Sequence, residues 1–221
     1  MTPPQHHRTD PETAGFASHA SGPDKKTVAY YDDRATAYTE SSWQQDLSFL
    51  LTPFCDRLRP GCRVLDLGSG AGRDSEALRL RGFEAVSLDA SAGLIAAHKA
   101  RGGRLLLRGD FLRLPFRDAC FGGVWACASL LHVPAAQAHD VLCDIYRLLL
   151  PGGVLAVSLK IGSGENRDED GRRWTFYLPE TARTALERAN FRILEETRNL
   201  DTSGRSIEWL SLLASPARSP G

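Results

Sequence analysis

Apolar residues follow two rhythms along this chain. Short runs rich in Val, Leu and Trp recur at Arg63 to Leu67, Glu84 to Leu88, Arg104 to Arg108, Gly122 to Cys127 and Val154 to Leu159. Their length and bounding turn residues predict buried strands. Between them, apolar positions return at helical spacing over Arg73 to Arg81, Ser91 to Arg101, Ala135 to Leu150 and Pro179 to Asn190. Gly82, Gly102-Gly103 and Pro151-Gly152-Gly153 stand where the first three of these helices would stop, and Pro179 suits a first helical turn. Two helices are expected ahead of the first strand. One covers Thr27 to Thr39 and carries Tyr30, Tyr31 and Tyr38; the other, Trp43 to Leu58, sets Leu47, Leu50, Leu51 and Phe54 on one face before Pro60-Gly61. Phe191 to Arg198 and Ser206 to Leu213 read as closing strands, the second antiparallel. Strands separated by helices of this length predict an α/β fold, a doubly wound, mostly parallel sheet with helices on both faces.

Composition narrows the picture. The 221 residues suit one α/β domain, expected over residues 27–214 with a helical lid at 27–60. Residues 1–26 and 215–221 are short of large apolar side chains and read as disordered tails. The 27 basic and 27 acidic residues cancel, so a nucleic-acid partner is not expected. No apolar run approaches the roughly 20 residues of a membrane span, and the first residues carry no secretory signal. Five cysteines (Cys55, Cys62, Cys120, Cys127, Cys143) without a C-x-x-C pair read as free thiols of a cytoplasmic protein. His6 and His7 have no neighbouring ligands in the sequence, and no metal is expected. A monomer or homodimer is expected. Gly162 to Arg173, glycine-rich and charged, reads either as a solvated loop or as a rim over a substrate site.

In an open parallel sheet, ligands bind beyond the carboxyl ends of the strands. Four such ends carry chemistry here. Asp66-Leu67-Gly68-Ser69-Gly70-Ala71-Gly72 follows the first strand, and its glycines allow a ligand to approach the main chain. Asp89-Ala90 ends the second strand, about 20 residues beyond the loop, where an acid can accept both ribose hydroxyls. Asp110-Phe111 follows the third strand, with a carboxylate for an exocyclic amine and a ring for a base face. Cys127-Ala128-Ser129 follows the fourth. The loop spacing is G-x-G-x-G, not the G-x-G-x-x-G of a dinucleotide site, and Arg73 stands where the last glycine belongs. Asp66 would repel a pyrophosphate and suits a cationic cofactor, so NAD is disfavoured.

These motifs resemble those of class I S-adenosylmethionine-dependent methyltransferases of the small-molecule type, over about Trp43 to Leu213. Phe121-Gly122-Gly123-Val124-Trp125 resembles the fourth-strand motif, with Gly122 where the family often has Asp. Leu130-Leu131-His132-Val133 resembles its Leu-His-His-Val segment, and Leu149-Leu150-Pro151-Gly152-Gly153 its turn before strand five. The resemblance implies a Rossmann-like sheet of seven strands with the last antiparallel. It implies S-adenosylmethionine held by Asp66, Gly68, Ser69, Gly70, Gly72, Asp89, Ala90, Asp110, Phe111 and Cys127, with methyl transfer to a small-molecule acceptor. Methylation of RNA or protein, or cofactor binding without catalysis, are the alternatives. Just past the fourth strand and titrating near neutrality, His132 is the candidate base. Tyr30, Tyr31 and Tyr38 resemble the family's lid, and Lys160 and Arg172 are candidates for meeting an anionic acceptor.

Overall fold

A computed structural model describes residues 22–201 and 207–217. Three helices come first: α1 (Lys25–Asp33), α2 (Ala35–Trp43) and α3 (Ser48–Cys55). Strands and helices then alternate through β1 (Arg63–Leu67), α4 (Arg73–Leu80), β2 (Glu84–Asp89), α5 (Ala92–Ala100), β3 (Leu106–Arg108), β4 (Phe121–Cys127), α6 (Ala135–Leu148) and β5 (Leu149–Lys160). A short 3-10 turn, Leu130–His132, joins β4 to α6. The chain closes with β6 (Glu165–Arg167), β7 (Arg173–Thr175), α7 (Pro179–Arg188), β8 (Phe191–Leu200) and β9 (Glu208–Pro216).

The main sheet has seven strands in the order β3-β2-β1-β4-β5-β9-β8. All its pairings are parallel from β3 to β5, and β9 runs antiparallel between β5 and β8. Strand order reverses between β1 and β4, so the carboxyl ends of β1, β2 and β4 open onto one crevice. Alternation along each strand divides the core. Leu65, Leu67, Leu155 and Val157 face α6 and α7, while Val64, Trp125, Val154 and Ala156 face α3 and α4. Trp125 is fully buried against Phe54 at a ring distance of 5.3 Å, and its indole N–H donates to Asp74 Oδ2 at 2.8 Å.

Several boundaries differ from the sequence reading. The segment expected as one helix at 27–39 is two, broken at Arg34, whose guanidinium pairs with Asp170 at 2.8 Å. Helix α1 starts at Lys25, ahead of the expected domain start, because Asp24 caps it by accepting from Thr27 N at 2.9 Å. Trp43 ends α2 and does not start the next helix. Asp46 accepts from Ser48 N at 2.8 Å and turns the chain into α3. Helix α6 stops at Leu148, two residues early, because Pro151 forces its predecessor out of the helical region and Leu149 is already extended. The strand then slips at Phe121/Gly123 to fit Pro151-Gly152-Gly153. Strand β9 runs to Pro216, beyond the expected domain end. Gly162 to Arg173 holds part of an antiparallel hairpin, β6 with β7, and is not a plain loop. Ser206, His6, His7 and the outer parts of both expected tails lie outside the described residues. No helix among the described residues is long and apolar enough to cross a membrane.

Candidate functional site

The glycine loop is held by its own backbone. Gly68 N and Ser69 N both donate to Leu88 O, at 2.8 and 3.1 Å. This pins the turn to the end of β2 and leaves its outer face to a cavity of about 430 Å³. Gly68 sits at φ +78°, and a Cβ there would lie 2.4 Å from Ser129 Cβ and 3.2 Å from the Phe111 ring. Only glycine fits that cradle.

Asp89 and Asp110 open into the same cavity with Ala90 and Phe111. The Asp89 carboxylate accepts from Gly70 N and Ser91 N, each at 2.8 Å. Burial raises its pKa, and these two N–H groups pull it back. Each of its oxygens keeps a second lone pair for a ligand hydroxyl. Asp110 is likewise raised by burial and opposed by the N–H groups of Leu112 and Phe111.

His132 and Tyr31 face the cavity together. Nδ1 of His132 lies 2.7 Å from Arg173 O, and a carbonyl only accepts, so Nδ1 carries the proton. Nε2 is then the acceptor, and Tyr31 Oη donates to it at 3.0 Å. Burial lowers the His132 pKa from 6.5 to about 4, with Arg172 and Lys160 adding to the depression and the Arg173 carbonyl opposing it. The imidazole is therefore neutral near pH 7. Burial also raises the Tyr31 phenol well above its usual range and pushes Tyr38 up to about 12.

A second recess of about 130 Å³ shares Tyr38, Gly68, Gly70 and Ala128 with the main cavity. Ser69 and Cys127 line it. Cys127 Sγ lies 3.2 Å from Ser158 Oγ, and burial pushes its thiol up to about 12.

Other residues singled out from the sequence are turned elsewhere. Asp66 points under α4, where its carboxyl accepts from Ser75 Oγ at 2.5 Å, and it lines neither cavity. Burial, then the nearby Asp74, raises its pKa and favours the neutral form. Strand alternation turns Asp66 to the α4 face with Val64, so its carboxyl does not select a cationic cofactor in either cavity. Gly72 lines neither cavity. It sits at φ +88° against His98, and an added Cβ would lie 2.1 Å from that ring. Tyr30 stacks on the guanidiniums of Arg172 (3.9 Å) and Arg34 (4.5 Å), outside the main cavity. Lys160 lies 3.2 Å over the Trp174 ring, and Arg172 pairs with Asp168 at 2.8 Å. Both line an outer groove, not the main cavity.

Gly72→Ala should lower stability by about 2–4 kcal/mol, from the left-handed backbone and the overpacking of His98. Urea unfolding of the single and double variants with His98→Ala should give a coupling of about 1 kcal/mol or more. Additive effects would show that the ring contact does not matter.

Several residues that shape the site carried no signal in the sequence. Asp32 on α1 accepts from Ser91 Oγ at 2.6 Å and Gly93 N at 2.9 Å, tying the lid to the start of α5. Asp24 pairs with Arg167 and Arg173, and Thr27 Oγ1 accepts from Arg173 N at 2.9 Å. Helix α1 is thus fixed to the β6–β7 hairpin over the His132–Tyr31 pair. These contacts join residues about 60 to 150 positions apart and follow no local pattern.

Two buried hydroxyls test whether the site suits a ligand. Ser129 lines the main cavity and Ser69 the recess, and the buried Oγ of each has no hydrogen-bond partner among the described residues. An unmet buried hydroxyl costs about 1–3 kcal/mol, which a polar ligand beside the glycine loop would recover. With the Gly68 cradle and the two strand-end acids, the residues fit a nucleoside-bearing cofactor.

Residues 65–157 match the family described as Methyltransferase domain. The chain is 42% identical over 101 residues to the demethylmenaquinone methyltransferase of Beutenbergia cavernae, covering 45% of this chain and 41% of that protein. It is 32% identical over 171 residues to the sterol 24-C-methyltransferase of Eremothecium gossypii, covering 67% and 45%. The match thus spans less than half the length of these curated relatives. Among solved structures, it resembles the 1,6-didemethyltoxoflavin-N1-methyltransferase of Burkholderia thailandensis, solved with 1,6-didemethyltoxoflavin and S-adenosylhomocysteine. The TM-score is 0.70 at 20% identity, over 96% of this chain and 99% of that one. At that identity the likeness establishes the fold.

Proposed function

We propose that this chain, whose residues 65–157 match the methyltransferase-domain family, transfers a methyl group from S-adenosylmethionine to a small-molecule acceptor. The observation that carries the reading is the pairing of Asp89 and Asp110 at successive strand ends on the cavity that the glycine loop borders. S-adenosylmethionine supplies a methyl group already activated by its sulfonium, so the protein's share is binding, orientation and exclusion of water. Asp89 would accept the ribose hydroxyls while Gly70 N and Ser91 N hold its carboxylate in place. Asp110 and Phe111 would meet the base. The backbone of Gly68 to Gly70 would meet the amino-acid end.

His132 and Tyr31 act on the acceptor side in this reading. A neutral imidazole with Nδ1 protonated presents Nε2 as a hydrogen-bond acceptor. An acceptor hydroxyl or N–H displacing Tyr31 Oη from Nε2 would be oriented by it. With its pKa near 4, His132 is a weak base at pH 7, which suits acceptors that lose their proton late or need no base. Helix α1, tied down by Asp32 and Asp24, would keep water out. The five free cysteines agree with a cytoplasmic setting.

The test is formation of S-adenosylhomocysteine when the full chain is incubated with S-adenosylmethionine and a small-molecule metabolite extract. Acceptor-dependent formation, lost when the extract is omitted, is the expected result. Binding of S-adenosylmethionine without product from any extract fraction would leave a binding protein and overturn the catalytic reading.

A further inference from the structure

The second recess extends well past the glycine loop. Its near end is Ser69 and Cys127, at the ends of β1 and β4; its far wall is Ser211 and Trp209 on β9 with Asn199 on β8. Register places these residues on one face. Ser158 pairs with Ser211, and Trp209 with Asn199, so all four side chains emerge on the side that carries Trp125 and Ala156. From β1 to β9 is three strand spacings, about 14 Å. A nucleoside at Asp89 and Asp110 lies over β2 and β3, in the opposite direction. The short amino-acid arm of such a donor reaches the ends of β1 and β4 but not the wall on β9 and β8.

Part of that far wall is unmet: the Trp209 indole N–H donates to Asp201 Oδ2 at 3.4 Å, but two other polar atoms have no such partner. Ser211 is 2% exposed, and neither Ser211 Oγ nor Asn199 Oδ1 has a hydrogen-bond partner among the described residues. With Ser69 Oγ, the recess carries three of the five such buried atoms among the described residues. Each such atom raises the free energy unless something hydrogen-bonds to it. A hydrocarbon packed against the Trp209 ring would leave Ser211 Oγ and Asn199 Oδ1 unmet.

We propose that this recess is the acceptor's specificity site, and that it takes a small polar molecule whose amide, amine or hydroxyl head group hydrogen-bonds to Asn199 and Ser211. It rests on the reading of the main cavity as the donor site. The head group is the anchor, and the methylated atom lies nearer the junction of the two cavities at Gly68, Tyr38 and Ala128. The acceptor therefore differs in kind from the apolar molecules that the quinone and sterol names of the relatives suggest.

The probe pair is benzamide and ethylbenzene, close in size and different in head group. Each is titrated by ligand-observed NMR into the full chain saturated with S-adenosylhomocysteine. Benzamide should bind in the saturated protein and ethylbenzene should not. Ser211→Ala and Asn199→Leu should each weaken benzamide by about fivefold or more, the loss of one neutral hydrogen bond. Neither should change the Kd of S-adenosylhomocysteine. Ser211→Ala should also leave Tm unchanged or raise it, since it removes an unmet buried hydroxyl. That second readout separates a binding role from a structural one. Competition between benzamide and S-adenosylhomocysteine, preference for ethylbenzene, or indifference of both variants would overturn the proposal. Failure of S-adenosylhomocysteine itself to bind would instead overturn the donor-site reading.

Discussion

Asp89→Asn weakens S-adenosylmethionine binding by roughly tenfold to a hundredfold. The estimate follows from the carboxylate's position. It accepts from Gly70 N and Ser91 N, so it fixes the crest of the glycine loop and the start of α5 at once. An asparagine keeps the shape but turns one acceptor oxygen into an N–H donor. That donor must then face a backbone N–H or a ribose hydroxyl that needs an acceptor. A hydrogen bond to a charged group contributes about 1.5–3 kcal/mol, and a buried mismatch costs a similar amount. Titration calorimetry of the two proteins checks the Kd ratio. An unchanged Kd would remove Asp89 from the donor site. A fall in Tm without ligand is also expected, since the same N–H groups lose their charged partner.

The second large effect concerns His132. His132→Ala cuts kcat by about 10²-fold if the imidazole moves or steadies an acceptor proton, with little change in S-adenosylmethionine affinity. Tyr31→Phe keeps the ring but removes the hydroxyl that holds Nε2, and a smaller fall in kcat is expected. The pH profile provides a sharper check. Because burial holds the His132 pKa near 4, the acid limb of kcat should fall near that value and not near 6.5. Stability follows the same group. A histidine whose folded pKa is depressed contributes stability that is fully present above about pH 6.5, its unfolded value. That contribution is lost as pH falls toward 4, because the unfolded chain takes up the proton first. A kcat limb at 6.5 that disappears in His132→Ala would show the imidazole to be solvated, contrary to the geometry.

The sheet was largely legible in the sequence because buried strands and glycine-stopped helices leave local signals. The bounds of β1 follow directly from the run Arg63 to Leu67, and α4 ends where Gly82 lets Phe83 N reach back to Leu78 O at 3.2 Å. The two cavity acids were legible for the same reason: Asp89 and Asp110 sit at strand ends, where the fold alone turns them to the crevice. Asp66 was misjudged because two residues decide its face. It shares the parity of Val64, which buries it under α4 beside Ser75, and spacing to the glycines carries no such information. Lys160 was placed at the right strand end, but the Trp174 ring that receives its ammonium comes from the β6–β7 hairpin. Three-residue strands rich in Glu and Arg have no hydrophobic alternation to betray them. The same holds for the lid. Tyr31 was among three candidate tyrosines, and its contact with His132, 101 positions away, is what sets it apart from Tyr30.

Calorimetric titration of the full chain with S-adenosylmethionine, and in parallel with NAD, tests the identity of the donor most directly. One molecule of S-adenosylmethionine should bind per chain, S-adenosylhomocysteine should compete, and NAD should give no heat of binding. Absence of S-adenosylmethionine binding at millimolar concentration, or saturable binding of NAD in its place, would contradict it.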